Sequence, residues 1–232
     1  MIPKVIHYCW FGRGEKPRLA KKCIASWKKY MPDYEIIEWN EDNYDVFSNP
    51  YTRFCYENKK WAFLSDYIRL DIVEKHGGVY FDTDVEAVKN IDHLLNCGAF
   101  YCFESNDFIN TGEGFGAEQG HPSVIAMKQE YHKLECDSEQ QYPFVICPQL
   151  NTNALMQFGL TLNGESQTLG NIKILSSDFM NPYDDSIGKL CLSENTVSIH
   201  WYSKSWMKKR VVLKSKFSKP VHRLQKFFGM RS

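Results

Sequence analysis

Apolar positions along this chain switch between two periods. Residues 5–10 form a short apolar run closed by the Gly12-Arg13-Gly14 loop, which predicts a strand. Pro17 then stands where a helix can begin, and Leu19, Cys23, Trp27 and Tyr30 recur at helical spacing until Met31-Pro32 stops it. Residues 34–39 read as a second strand, followed by the polar turn Asn40-Glu41-Asp42-Asn43. Strand, helix, strand within forty residues is how a nucleotide-binding α/β unit opens. The clearest helix runs from position 61 to 76, with Trp61, Leu64, Ile68 and Ile72 as its apolar stripe and Gly77-Gly78 as a left-handed cap. Val79, Tyr80 and Phe81 follow as a buried strand, and its C-terminal end carries Asp82-Thr83-Asp84.

Beyond this point the pattern is less regular. Strands are predicted over 99–104, 115–118, 172–175 and 196–201, and helices over 122–134 and from Cys147-Pro148-Gln149 to Phe158. The whole predicts one α/β Rossmann-like domain over residues 1–206 and a separate C-terminal tail over 207–232.

Composition narrows the class. The 232 residues are 43% hydrophobic and 24% charged, which is globular, and the eight cysteines form no Cys-x-x-Cys pair that would suggest a zinc or redox motif. The chain starts directly in a strand, shows no leader pattern, and has no apolar run near the ~20 residues of a membrane span. These features predict a cytoplasmic protein with reduced thiols.

The candidate chemistry centres on Asp82 and Asp84. In a regular strand, residues i and i+2 share a face, and two carboxylates there stay ionised only with positive charge nearby. Hard cations take oxygen ligands and share them with substrate phosphates. An isolated Asp-x-Asp also suits a solvated turn, but this pair sits where ligands of open α/β sheets bind. Asp66 and Arg69, three apart on the preceding helix, share a face, and a guanidinium makes paired hydrogen bonds to phosphate or sugar oxygens. A simple ion pair is the alternative reading. His200 ends a predicted strand, and neutral imidazole is a good ligand for Mn²⁺.

The stretches Trp61-Ala62-Phe63-Leu64-Ser65-Asp66-Tyr67-Ile68-Arg69 and His76-Gly77-Gly78-Val79-Tyr80-Phe81-Asp82-Thr83-Asp84 resemble the glycosyltransferases of family 32. The opening Ile2-Pro3-Lys4-Val5-Ile6-His7 and the late block His200-Trp201-Tyr202-Ser203-Lys204-Ser205-Trp206 fit the same family. The resemblance implies a GT-A fold, a nucleotide-diphosphate sugar donor linked to UDP or GDP, retention of anomeric configuration, and Mn²⁺ or Mg²⁺ as cofactor. Carried over residue by residue, it implies Asp82, Asp84 and His200 at the metal. Ser65, Asp66, Arg69, Tyr80 and Asp82 would lie at the donor, with Trp10 at the base and Lys204 and Ser205 over the leaving diphosphate. Asp66, Arg69 and Asp84 would be the catalytic set. The acceptor, a surface or capsular polysaccharide or lipid-linked glycan, is expected near Glu104-Ser105-Asn106-Asp107, the loop from Asn110 to Gly116, and Pro148-Gln149-Leu150-Asn151. Cys147 stands where many relatives have glycine. A scaffold that binds the donor but has lost transfer is the competing function.

The tail changes the electrostatic picture. From Trp201 to Ser232 there are ten Lys or Arg and no Asp or Glu, so residues 1–200 carry a net −10 that balances it. After Pro220, the side chains of Val221, Leu224 and Phe228 share one helical face, the pattern of an amphipathic helix lying at an interface. Each cationic residue near an anionic bilayer contributes on the order of 1 kcal/mol. The expectation is peripheral attachment at the inner face of the plasma membrane. A helix packed on the domain is the alternative, and an acidic body disfavours nucleic acid.

Overall fold

A computed structural model describes residues 1–137, 141–143 and 145–203. The elements in chain order are β1 (Val5–Cys9), α1 (Arg18–Tyr30), β2 (Glu35–Trp39), α2 (Pro50–Glu57), α3 (Trp61–His76), β3 (Gly78–Tyr80), β4 (Val85–Ala87), β5 (Ala99–Ser105), β6 (Phe108–Ile109), β7 (Phe115–Ala117), α4 (Pro122–His132), α5 (Cys147–Met156), β8 (Gln167–Leu169), β9 (Ile172–Leu175), β10 (Tyr183–Asp184), β11 (Lys189–Leu190) and β12 (Ser198–His200). The main sheet runs β2-β1-β3-β7-β5-β9-β8, with β6 on β5. β1 pairs in parallel with both β2 and β3, while β7 enters antiparallel between β3 and β5.

Helices cover both faces of this sheet, each over its own core. On one side α3 is buried almost all round, from Leu64 through Val73, with α2 and α4 packed beside it and α5 against α4. The expected amphipathic stripe is therefore too narrow a description: Tyr67, Leu70 and Val73 are buried as deeply as Leu64, Ile68 and Ile72, while Trp61 is only half-buried. On the other side α1 turns Cys23 and Trp27 inward against Tyr8 and Phe81. The Trp27 Nε1–H donates to the Val85 carbonyl at 2.8 Å and so ties α1 to β4.

Two local expectations change. Gly77 does end α3 with a positive φ of 65°, but its ψ of −175° is not the left-handed helical cap. Gly78 follows at φ 107°, and a Cβ there would stand 2.9 Å from the Val5 carbonyl oxygen, so glycine lets β3 close onto β1. Asp82 and Asp84 lie beyond the end of β3, in a turn that Val85 N–H closes on the Asp82 carbonyl at 3.0 Å. The strand-face argument does not apply to them. β4 then leaves the turn and pairs antiparallel with β12, which sets His200 opposite Val85.

Lys204, Ser205, the 206/207 boundary and the basic amphipathic tail lie outside the described residues. Among the described residues, no helix is long and apolar enough to cross a membrane. Trp27→Ala empties a fully buried site and removes the bond to Val85, so it should lower the unfolding free energy by about 3–5 kcal/mol in denaturant melts.

Candidate active site

Three segments meet at the C-terminal end of β3. The first is the middle of α3, which carries Ser65, Asp66 and Arg69. Arg69 is only 2% exposed, yet it is the charged centre of the site. Its Nη2 donates to Asp66 Oδ1 at 2.7 Å and to both Asp82 oxygens at 3.2 Å, and its Nε donates to the Ser65 carbonyl. The ion pair expected on the surface of α3 thus exists, but inside the protein and shared with the acidic turn. Burial works against the Arg69 charge. The two carboxylates outweigh it and hold the guanidinium well above its ordinary pKa.

The second segment is the turn itself. Asp82 accepts from Tyr80 Oη at 3.0 Å as well as from Arg69, and its main-chain N–H donates to the Gly112 carbonyl. Tyr80 is fully buried, with Arg69 5.1 Å from its ring centroid, so it orients Asp82 from behind and offers no face for stacking on a nucleotide. Asp84 turns the other way. Its Oδ1 lies 3.5 Å from His200 Nε2, and its Oδ2 accepts the Ser203 main-chain N–H at 2.7 Å. Burial opposes ionisation of Asp84, but His200 and the Ser203 donors outweigh it and hold the carboxyl far below the usual range. Burial likewise disfavours the His200 cation, and Asp84 raises its pKa in spite of that.

The third segment is the loop from Asn110 to Gly116. It is buried throughout, so it forms the floor beneath Asp82 and Arg69 and not the open acceptor surface expected from its glycines. A Cβ on Gly112 would come within 2.7 Å of Asp82 Oδ2 and 2.9 Å of Arg69 Nη1, which only glycine avoids. Glu113 in this loop is fully buried, and burial pushes its carboxyl well above the usual pKa.

Of the predicted metal set, the structure brings Asp84 and His200 together, while Asp82 is turned toward Arg69. Among the described residues, no three His, Cys, Asp or Glu side chains converge closely enough to enclose an ion. Two protein ligands with the remainder from phosphate and water is nevertheless how Mg²⁺ is commonly held. His200 turns Nε2 toward Asp84, and its Nδ1 is buried with no hydrogen-bond partner among the described residues. Ser65 caps back onto its own helix through Oγ to the Ala62 carbonyl at 2.8 Å. Trp10 is half-buried, its Nε1–H bonded to the Gly14 carbonyl and Lys16 5.5 Å from its ring.

Thr111 and Asn151, which the sequence placed in segments expected near the acceptor, meet instead at Arg69. Thr111 accepts from Arg69 Nη1 at 3.5 Å, and Asn151 Nδ2 donates to Thr111 at 3.0 Å. Their separation of forty residues carries no motif. Tyr202 packs on His200 with ring centroids 4.1 Å apart, and its hydroxyl accepts from Asn181. It helps line a cavity of about 510 Å³ with Glu104, Asn181 and Tyr183.

An acidic turn at the end of β3 is thus backed by a buried arginine and faced by a histidine on a late strand. The fold superposes on the PaToxG glycosyltransferase with a TM-score of 0.51 at 20% identity, covering 67% of this chain and 68% of that one. Residues 17–102 match the family described as the glycosyltransferase sugar-binding region containing the DXD motif. Inositol phosphoceramide mannosyltransferase 3 of Schizosaccharomyces pombe is 27% identical over 135 residues, which is 53% of this chain and 35% of that protein. An uncharacterized glycosyltransferase of Acanthamoeba polyphaga mimivirus is 28% identical over 131 residues, 53% and 52% of the two chains. The chain spans about half or less of the length of these curated relatives.

Asp66 supplies a pH test of the cluster. Burial raises its pKa to about 6 in spite of Arg69, so the folded state binds this proton more tightly than the unfolded state does. Its contribution to stability is then present at low pH and lost as pH rises from about 4, the unfolded value, to about 6. Unfolding free energies across that window should fall with pH in the parent and show a smaller slope in Asp66→Asn.

Proposed function

We propose that the protein is a metal-dependent, retaining glycosyltransferase. It moves a hexose or N-acetylhexosamine from a UDP- or GDP-linked donor to a glycan acceptor. The observation that carries this reading is the division of labour at the turn: Asp84 with His200 on one side, Asp82 with Asp66 and Arg69 on the other. Asp84 and His200 are the residues that would hold a divalent ion, Mn²⁺ or Mg²⁺, and a carboxylate oxygen with an imidazole nitrogen suits Mn²⁺ better than Mg²⁺, which takes oxygen ligands. Such an ion, when bound, offsets the charge that develops on the departing diphosphate.

The chain's own residues do the positioning. Asp82 and Asp66 keep part of their surface open to the donor, while Arg69 behind them is closed off and fixes both carboxylates. Its role in this arrangement is to set those oxygens for the donor's sugar and ribose hydroxyls, and not to grip the diphosphate. The cavity beside Tyr202 provides room for the acceptor next to His200, with carboxylates and tyrosine rings that match the hydroxyls and apolar faces of a sugar. The acceptor itself is proposed as a surface or capsular glycan, lipid-linked forms included. The charge of residues 204–232 supports delivery at an anionic membrane face.

Asp84→Ala and His200→Ala should each reduce nucleoside-diphosphate release from the accepted donor by 10²-fold or more, and EDTA should abolish it in the parent. Glu104→Gln should change only saturation by acceptor. Parental turnover in both the Asp84 and His200 variants would falsify the metal-site reading, and donor binding with no turnover under any metal would favour the scaffold. For the tail, the full chain should sediment with vesicles containing anionic phospholipid at low salt and be released by high salt. A chain ending at Ser203 that sediments equally well rules out attachment through the tail.

A further inference from the structure

Arg69 has a second set of contacts on the side away from its carboxylates. Its Nη1 donates to Thr111 Oγ1 at 3.5 Å, and the same oxygen accepts from Asn151 Nδ2 at 3.0 Å. Thr111 and Asn151 are both wholly buried, and Asn151 Oδ1 has no hydrogen-bond partner among the described residues. An apolar side chain would fill that place on α5 at lower cost, because half of a buried amide is left unpaired there.

The surrounding contacts show what the amide does. The first turns of α5 hold the 109–112 segment at three points. Thr152 Oγ1 accepts the Ile109 main-chain N–H at 2.9 Å, the Cys147 thiol lies 3.6 Å from Asn110 Oδ1, and Asn151 reaches Thr111. Asn110 Oδ1 in turn accepts the Gly112 N–H at 2.7 Å, and Gly112 receives the Asp82 main-chain N–H on its carbonyl. Two of the three continue to the guanidinium: Asn151 through the Thr111 hydroxyl, and Cys147 directly, its sulfur accepting from Arg69 Nη1 at 4.0 Å.

We propose that Asn151 is a positioning residue for transfer, acting through the Thr111 hydroxyl to fix Arg69 and, through Arg69, the Asp66 and Asp82 carboxylates. The proposal rests on the donor-site reading above. Two carboxylates and the Ser65 carbonyl hold the Nη2 and Nε side of the guanidinium, and the Thr111 hydroxyl, with the longer contact to the Cys147 sulfur, holds the Nη1 side against rocking. Loss of such a constraint costs rate more than binding, since misplacement by a fraction of an ångström matters most in the transition state.

The experiment is donor turnover by the full chain with Mn²⁺, in parallel with thermal melts. Thr111→Val is nearly isosteric and removes the hydroxyl, and should lower kcat about 10-fold while changing donor KM less than about 2-fold. Asn151→Ala should do the same, and the double variant should fall no further than either single one, because both cut the same connection. Thr111→Ser keeps the hydroxyl and should restore most of the rate. Asn49→Ala, which removes the α2 cap and touches neither Thr111 nor Arg69, should lower the melting temperature without the kcat effect. If Asn151→Ala fails to fold, Thr111→Val and Thr111→Ser decide the matter. Parental kcat in Thr111→Val, additive losses in the double variant, or no rescue by serine would overturn the relay. A fully active Arg69→Ala would instead overturn the donor-site reading, and the relay with it.

Discussion

A single guanidinium, buried between two carboxylates, is the constraint on which this site depends. Ionised groups in a protein interior carry a desolvation cost that only well-placed partners recover. Arg69 meets this with Asp66 one turn before it and with Asp82 across the β3 junction. The consequence is geometric as much as energetic. α3 cannot shift along β3 without separating charges in a low-dielectric setting, so the acidic turn is locked to the helix that precedes it. Tyr80 adds to this from the strand, and Gly112 permits it by having no side chain where the three groups converge.

The same logic separates two acids that the sequence presents as a pair. Asp82 faces a permanent cation, whereas Asp84 faces an imidazole that can lose its proton and a main-chain donor from Ser203. Desolvation acts on both. For Asp82 it wins, and the carboxyl is raised; for Asp84 the partners win. In the proposed reaction, a metal arriving with a diphosphate would meet one carboxylate already committed to Arg69 and another whose histidine partner is exchangeable. On that reading the two acids would serve different ends of the donor without either having to release a protein contact of the other.

How much of this was legible in the sequence follows from how local each feature is. The helix of residues 61–76 was readable to the residue and the strand after it to within one residue, 79–81 against Gly78–Tyr80, since apolar spacing, the glycine pair and the acidic turn all lie within one continuous stretch. The ion pair between Asp66 and Arg69 was readable as a spacing, but not its burial, because the helix pattern gave a stripe where the fold buries nearly the whole circumference. α2 was passed over among polar residues, although Asn49-Pro50 is a capping signal: the Asn49 side chain accepts from Tyr51 and Thr52 N–H groups, and Pro50 opens the helix. Strands of two or three residues such as β4 and β10 have too few positions to show a period. Thr111 and Asn151 fell in segments assigned to the acceptor, and their link to Arg69 was invisible for a different reason. Each is an ordinary polar residue, and only the packing of α5 onto the 109–112 loop gives them a shared target.

The late strand shows where local and distant information combine. His200 was marked by its place at the end of an apolar run, and the fold brings it to the turn through one short antiparallel pairing, β12 on β4. That pairing is itself anchored from outside the site. Trp27 on α1 bonds the Val85 carbonyl, and Trp201 returns its N–H to the Asp84 carbonyl and its indole to Glu86. Asp84 is thus held by main-chain contacts on both sides, while its side chain remains available to His200. Rigidity in the backbone and exchangeability in the side chain are what a site needs if it is to take up a charged ligand without being rebuilt around it.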